Sequence, residues 1–402
     1  MRACTMEMDT SKSYTVLNGA QIADMNILYE AFLQSMKGSA WKEEPQKFEM
    51  DILSGLAKLS DELQNGTYKT SKGSEFILNE RGHIRYIHGS HIRDRIVRHA
   101  LCDRILEPAI AKHLIYNNGA SQKGKGVAFT RKRLERDLHN YYLEHGDNKG
   151  YIAFVDFSKF YDNIRHDKVV DIFRTKIDGF SMELLKKIIK NFEVDVSYMD
   201  DEEYTACMGM KHDAIKYHER TKHMRLTREK MMPKSADIGD QVSQIIGVSY
   251  PTRVDNYATI VRGHKRYGRY MDDIYIIHKD KAYLRETLAG IRKEADKLGI
   301  FINTKKTRIC RIDRTFKYLQ HKYFLTDTGK VVIRINPEAL TRERKKLKAY
   351  KRLLKRGEIS YAAIEQAYKS WMGDYSRIMS KKQIENIRKL YKKLFGLNPR
   401  WK

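Results

Sequence analysis

The chain has 402 residues, with 77 lysines and arginines against 51 aspartates and glutamates, a net charge of +26. Hydrophobic residues at 41% and aromatics at 10% can fill an interior, which excludes disorder of the whole chain; six prolines and 24 glycines exclude fibrous repeats. No apolar run approaches the ~20 residues of a spanning helix, and MRACTMEMDTSKSY has no apolar signal core, so a cytoplasmic protein without a membrane partner is expected.

In chain order, VLNGAQIADMNILYEAFLQSMKG and KFEMDILSGLAKLSDELQNG carry apolar residues at three-to-four spacing with glycine stops, predicting two helices. YKTSKGSEFILNERGHIRYIHG alternates across NERG and predicts a hairpin. A basic amphipathic helix follows, with Ile92, Ile96, Ala100 and Leu101 on one face and Arg93, Arg95 and Arg98 elsewhere. SQKGKG is a glycine–lysine loop opening another helix, and GYIAFVDF is an apolar strand ending at Asp156. Residues 165–235 read as helix and loop, with a basic stretch from Lys211 to Lys230 that is either a holding surface for a ligand or a partner, or a solvated loop. IGDQVSQII opens a helix after a glycine turn, and GRYMDDIYIIHKD is a second hairpin with Asp272 and Asp273 at its tip. A helix, the strand FINTKKTRI, short strands around FKYLQHKYFL and GKVVIRI, and a basic helical tail from Asn336 complete the chain. Sheet and helix mixed without strict alternation predict an α+β class of two or three packed units.

The charge excess calls for a polyanion, and lysine and arginine interleaved with 25 tyrosines and 14 phenylalanines favour nucleic acid over a membrane surface. Cys4, Cys102, Cys207 and Cys310 are scattered, which gives neither a zinc knuckle nor a disulfide framework and fits a reducing compartment. The histidines, His166 among them, have no ligand spacing and are expected to be structural or RNA-contacting. Two adjacent aspartates flanked by strand-forming apolar residues are costly, and a divalent cation resolves that cost. Hard carboxylate oxygens at a strand end and a neighbouring hairpin tip suit two Mg²⁺ ions and in-line phosphoryl displacement. Arg269 and Tyr270 in the same hairpin read as ordinary sheet residues.

These segments, in this order over roughly residues 65–335, resemble the reverse transcriptases of bacteria and phages. YMDD in an apolar hairpin with FVDFSKFYDNI is similar to the family's palm, ERGHIRYIHGSHIRDRIVRHALCDRILEP to its fingers, and QKGKG to the basic loop that follows. LGIFINTKKT resembles the segment bearing a downstream lysine, and FKYLQHKYF the primer-grip hairpin. The resemblance implies an RNA-directed DNA polymerase with a right-hand fold: an N-terminal helical extension (1–64), fingers (65–150), a ferredoxin-like palm (151–335, with a basic insertion at about 195–232) and a basic helical thumb (336–402). It implies that Asp156, Asp272 and Asp273 bind two Mg²⁺ ions, for which Mn²⁺ can substitute, with the Phe157 backbone beside them. Tyr161 matches the gate against a ribose 2′-hydroxyl; Lys123 and Lys125 the triphosphate clamp; Gly239 and Gln241 further nucleotide contacts. Lys306, with Lys305 as its competitor, matches the lysine that protonates pyrophosphate, and Tyr318, Leu319 and Gln320 the primer grip. The implied partners are an RNA template, in particular a structured noncoding RNA, the DNA product and dNTPs, with an accessory protein or a second copy left open.

One motif departs from the common form. Where a Gln-Gly pair is usual, Ile238 precedes Gly239, and the stretch IGDQVSQ resembles the I-G-N-x-x-S-Q version of diversity-generating retroelement enzymes, with Asp240 in place of asparagine. Reduced fidelity or restricted template use is the expectation. With no ribonuclease H, endonuclease or integrase segment found, self-contained retrotransposition is not expected; the bulky extra segments and Asp240 place antiviral defence ahead of mutagenic retrohoming, and the missing Gln-Gly and short tail place an intron-type maturase third. A template-independent DNA polymerase and an RNA-binding scaffold with a dead palm are the contrasting readings.

Overall fold

The computed structural model describes residues 18–71, 73–80 and 83–397; residues 1–17, Arg81 and Gly82 of the expected NERG turn, and the last five residues of the tail lie outside them. Asp24 accepts hydrogen bonds from the N–H groups of Asn26 and Ile27 and so starts the helix Met25–Met36. The second predicted helix is two, Glu43–Met50 and Ile52–Gln64, because the chain breaks at Asp51. The hairpin forms as expected: Ser74–Glu80 runs antiparallel to His83–Gly89, with Ser74 opposite Gly89. Helix Ile92–Leu101 continues through a wide turn at Cys102–Leu106 into Glu107–Ala111, and Ile92, Ile96, Ala100 and Leu101 are buried.

Strands Arg308–Arg311, Tyr151–Val155, Asp273–His278 and Tyr267–Tyr270 lie side by side in that order. The stretch FINTKKTRI is not one strand. Phe301–Ile302 pairs with Phe157–Ser158, and a turn intervenes before Arg308. Asn303 makes that turn: its side chain accepts from Lys305 N–H at 3.2 Å and its carbonyl from Thr307 N–H at 2.9 Å.

The chain divides into two compact units, 1–126 with 154–275 and 283–308, and 127–153 with 276–282 and 309–402. In the second, the sheet Phe316–Tyr318, His321–Leu325 and Val331–Ile335 precedes helices Pro337–Lys355, Tyr361–Tyr375 and Lys381–Phe395. Those helices share a core of Leu347, Ile364, Tyr368, Ile387 and Tyr391. Asn336, Ser360 and Ser380 cap their starts, Ser380 with Gln383 in a reciprocal capping box.

In the first unit, the basic insertion is an ordered substructure rather than a solvated loop. Strands Val194–Asp195 and Met231–Met232 pair, helices Asp201–Cys207 and Ala214–Thr221 lie between them, and Val196, Cys207 and Met232 form a small core. Lys234 closes it. Its fully buried ammonium donates to the carbonyls of Met210 (2.7 Å) and Met208 (3.4 Å), just past the end of the first of those helices. Burial, with Arg165 nearby, lowers the Lys234 ammonium to about 8. Because its folded value lies below that of a free lysine, the unfolded chain binds the extra proton between pH 8 and about 10.5, and stability rises with pH across that window. Lys234→Met is expected to remove this rise, so that wild type gains about 2 kcal/mol on the variant between the two ends; urea denaturation at each pH measures it, and parallel curves would refute the assignment.

Candidate active site

Asp156 stands where the strand Tyr151–Val155 gives way to Phe157–Ser158, a position that ends an apolar run and leaves one carboxylate at the end of an inner strand. The turn at Asn303 reaches back to it. Asn303 Nδ2 donates to Asp156 Oδ2 at 2.9 Å, and Asn303 N–H donates to the Asp156 carbonyl at 2.8 Å. Lys306 Nζ donates to Asp156 Oδ1 at 3.0 Å. The turn therefore brings Lys306 to Asp156, although Lys305 and Lys306 are both exposed. Asn303 was not singled out from sequence, although an asparagine opening N-T-K-K is a turn signal.

Asp272 and Asp273 occupy the hairpin tip, where Met271 takes φ 56°. Burial, then the charge of Asp156, pushes the Asp272 carboxyl up to about 6; burial, then Asp272 and Asp156, pushes Asp273 up to about 7. Three acids thus lie within electrostatic reach of one another. Lys306 moderates both tip acids, with Arg85 from the first hairpin acting on Asp272 and Arg308 on Asp273. Burial alone would lower the Lys306 ammonium, yet its hydrogen bond to Asp156 and the charges of the three aspartates raise it. Among the described residues no three acidic, histidine or cysteine side chains form a ready-made metal cage. The donor set nevertheless suits hard divalent cations, since clustered carboxylates held above their usual range are stabilised by added positive charge.

Arg269 is not an ordinary sheet residue. It is fully buried, paired through Nη2 with the equally buried Asp255 at 2.7 Å. It also donates to the Met271 carbonyl at 3.0 Å and the Val248 carbonyl at 2.8 Å. Its own backbone bonds to Asn117 and Gly119, just ahead of the glycine–lysine loop. Its guanidinium thus ties the acidic tip to the helix Gln241–Ser249, while its backbone ties the tip's strand to the residues ahead of that loop.

Tyr161 begins the short 3₁₀ turn Tyr161–Asn163, five residues after Asp156. Burial, then Asp272, raises its phenol. A Cβ at Gly247 would sit 2.9 Å from the Tyr161 hydroxyl and 3.2 Å from Met271 Sδ, so only glycine admits this ring at that helix. Phe157 pairs through its backbone with Ile302 and buries its ring against Phe160.

The remaining residues are dispersed. Lys125 is folded onto its own loop, donating to Tyr116, Asn118 and Gln122, and burial lowers it; Lys123 is exposed. Gly239, at φ 98°, and Gln241 line a cleft of about 540 Å³ with Lys37, Ile87, Arg95 and Arg98; Tyr161 and the two lysines are not among its lining residues. Gln241 donates to Asp103 at 2.7 Å. Asp240 caps the helix through Val242 and Ser243 and forms a buried ion pair with Arg98, which is thus a core residue and not part of a solvated basic face. His166 is buried on the Ser235 carbonyl, which makes it structural rather than RNA-contacting. In the second unit Leu319 and Gln320 both take positive φ, 41° and 70°, in a two-residue turn between Tyr318 and His321. Arg131 holds the Leu319 carbonyl at 2.7 and 3.0 Å, and Arg342 reaches Gln320 at 3.2 Å.

A helix-covered sheet with a strand-end aspartate and a two-aspartate hairpin tip defines the class of right-hand nucleic-acid polymerases. The family model "Reverse transcriptase (RNA-dependent DNA polymerase)" matches residues 72–323, and the chain belongs to that family. No curated protein matches it. A solved structure of telomerase from Candida albicans, in complex with a fragment of telomeric RNA, is similar with a TM-score of 0.44 and 12% identity; the match covers 86% of this chain and 63% of the telomerase chain.

Arg269→Met leaves Asp255 buried without its partner and is expected to cost about 3–5 kcal/mol of stability, part of which Asp255→Asn in the same chain restores. Denaturation of the single and double variants measures this, and a neutral single variant would contradict the hub role.

Proposed function

We propose that the chain is a divalent-metal-dependent RNA-directed DNA polymerase in which Asp156, Asp272 and Asp273 hold two Mg²⁺ ions, with Mn²⁺ able to replace them. Fingers, palm and thumb correspond to 65–150, 151–335 and 336–402. The observation that carries the reading is the clustering of Asp156 with the Asp272–Asp273 tip, two of whose carboxyls are raised by burial and by their neighbours' charge. Bound divalent ions supply Lewis acidity and charge neutralisation for displacement at a nucleotide α-phosphorus.

The chain's own residues bind, orient and exclude. Asn303 holds Asp156 by side chain and backbone, fixing the carboxylate that faces the tip. Lys306 keeps its proton through its contact with Asp156 and is the side chain that delivers one, at Nζ, to the departing pyrophosphate. Tyr161 fills the volume of a ribose 2′-hydroxyl and selects deoxynucleotides by exclusion. Lys123 offers its charge to the incoming triphosphate; Lys125, bonded to three oxygen acceptors, shapes the loop that presents it. Tyr318, Leu319 and Gln320 form the turn that grips the primer, its backbone held by Arg131.

The template is an RNA, and the finer reading is a dedicated structured noncoding RNA copied in antiviral defence. The excess of 26 positive charges and an ordered, basic insertion support it. The Asp240–Arg98 pair, which asparagine could not neutralise, weighs against the diversity-generating class.

Asp272→Asn and Asp273→Asn are each expected to lower Mg²⁺-dependent dNTP incorporation on a primed RNA by about 10³-fold or more. Calorimetric binding of Mg²⁺ or Mn²⁺ to the protein alone should weaken in parallel. Full incorporation by either variant would remove the two-metal reading.

A further inference from the structure

The insertion closes on the turn that carries Tyr161 from two directions. From its middle, His212 N–H donates to Asn163 Oδ1 at 2.8 Å, while Asn163 Nδ2 donates back to the His212 carbonyl at 3.0 Å. Asn163 is wholly buried, so neither bond is shared with solvent. Ala214 N–H donates to Asp162 Oδ2 at 2.9 Å, Lys159 pairs with Asp213 at 2.9 Å, and Lys211 bonds the Ser158 hydroxyl. From its exit, Ala236 N–H donates to the Tyr161 carbonyl at 3.0 Å and Ser235 N–H to the Ile164 carbonyl at 2.8 Å. Ser235 does this at φ 98°, a conformation that serine adopts only where surrounding contacts enforce it.

An insertion that only decorated the surface would have no reason to place its contacts on either side of one tyrosine. On the other side the ring lies so near Gly247 that a Cβ there would sit 2.9 Å from the Tyr161 hydroxyl. The backbone of the turn is thus set by the insertion and the ring by the helix Gln241–Ser249. A gate that works by excluding one hydroxyl is sensitive to shifts well below a bond length, and a close-packed interior transmits such shifts.

We propose that the insertion is a sugar-specificity device: by bracketing residues 158–164 it sets the position of the Tyr161 ring, with Asn163 and Asp162 as positioning residues. The inference rests on reading Tyr161 as the gate.

The test compares dNTP with rNTP incorporation by the full chain on a primed RNA with Mg²⁺, for wild type, Asn163→Ala, Asn163→Asp and Tyr161→Ala. Asn163→Ala is expected to lower the dNTP-to-rNTP ratio of kcat/KM on the order of tenfold. The change should come from a lower KM for rNTP, with kcat for dNTP within about twofold of wild type. Asn163→Asp, which keeps the acceptor for His212 N–H and loses the donor, should fall between. Asp213→Asn, at a partly buried position, gives a milder perturbation of the same bracket if Asn163→Ala does not fold, and should shift the ratio in the same direction. Equal losses for both nucleotides, or an unchanged ratio in a variant set where Tyr161→Ala relaxes it, overturn the positioning role while leaving the gate. An unchanged ratio in Tyr161→Ala overturns the gate itself, and this inference with it.

Discussion

Like charges gathered where an apolar sheet ends are the constraint around which the first unit is organised. Burial, and then the charges of their acidic neighbours, raise the proton affinity of Asp272 and Asp273. Nothing about strand formation requires such a cluster; alternation would be served as well by threonine or asparagine. The surrounding structure answers it with rigid, charged and hydrogen-bonding groups on every side. Lys306 and Asn303 hold Asp156, Arg269 holds the carbonyl of Met271 at the tip, and Arg85 and Arg308 extend the positive field. Arg269 itself is sustained only because Asp255 lies against it, since an unpaired buried guanidinium would carry a large desolvation penalty. A buried ion pair of this kind is a weak source of net stability. Its value lies in geometry: five donors in a fixed fork reach a turn, a helix end and a carboxylate at once.

The same logic separates residues that meet from residues that merely share a motif. Lys306 and Asp156 are far apart in the chain, and a single asparagine turn brings them within 3.0 Å. Gly239 and Gln241, by contrast, belong to the cleft beside Arg98 and Arg95. Their left-handed glycine and their helix start shape a wall that basic residues of the N-terminal helices complete. A chain that must admit a polyanion gains from distributing its charge over such walls, because long-range attraction needs no contact geometry whereas the reacting centre does.

Much of this architecture was legible in the sequence, for reasons that also mark where legibility stopped. The hairpins, the strand ending at Asp156 and the helical tail declare themselves by periodicity and by apolar runs, which are local properties. The family resemblance over residues 65–335 agrees with the match over 72–323. FINTKKTRI was read as one strand because its ends are strand-like, and the asparagine that folds it acts through side-chain bonds that propensity does not register. Arg98 reads only as lying off the apolar face of its helix, and Arg269 as an ordinary sheet residue; each is buried against one aspartate, Asp240 and Asp255, 142 and 14 positions away. The insertion reads as helix and loop, its basic stretch left between a holding surface and a solvated loop, because its core is small, three buried residues among many charges. Pairings across long separations are what a single sequence conceals.

The aspartate at position 240 shows why a one-residue departure from a motif is poorly judged alone. As a helix cap, asparagine and aspartate are nearly equivalent, since either oxygen accepts from the second and third N–H groups. As a partner to Arg98 they are not. Arg98 is 4% exposed, and only a charged acceptor offsets its desolvation. Burial works against the Arg98 charge, and Asp240, with Tyr68 and Asp94, more than restores it. Replacing Asp240 by the commoner asparagine would keep the cap and strand the guanidinium; replacing Arg98 alone would strand the aspartate. The two positions therefore constrain each other, and the departure in the IGDQVSQ stretch is half of a pair whose other half lies in the helix Ile92–Leu101.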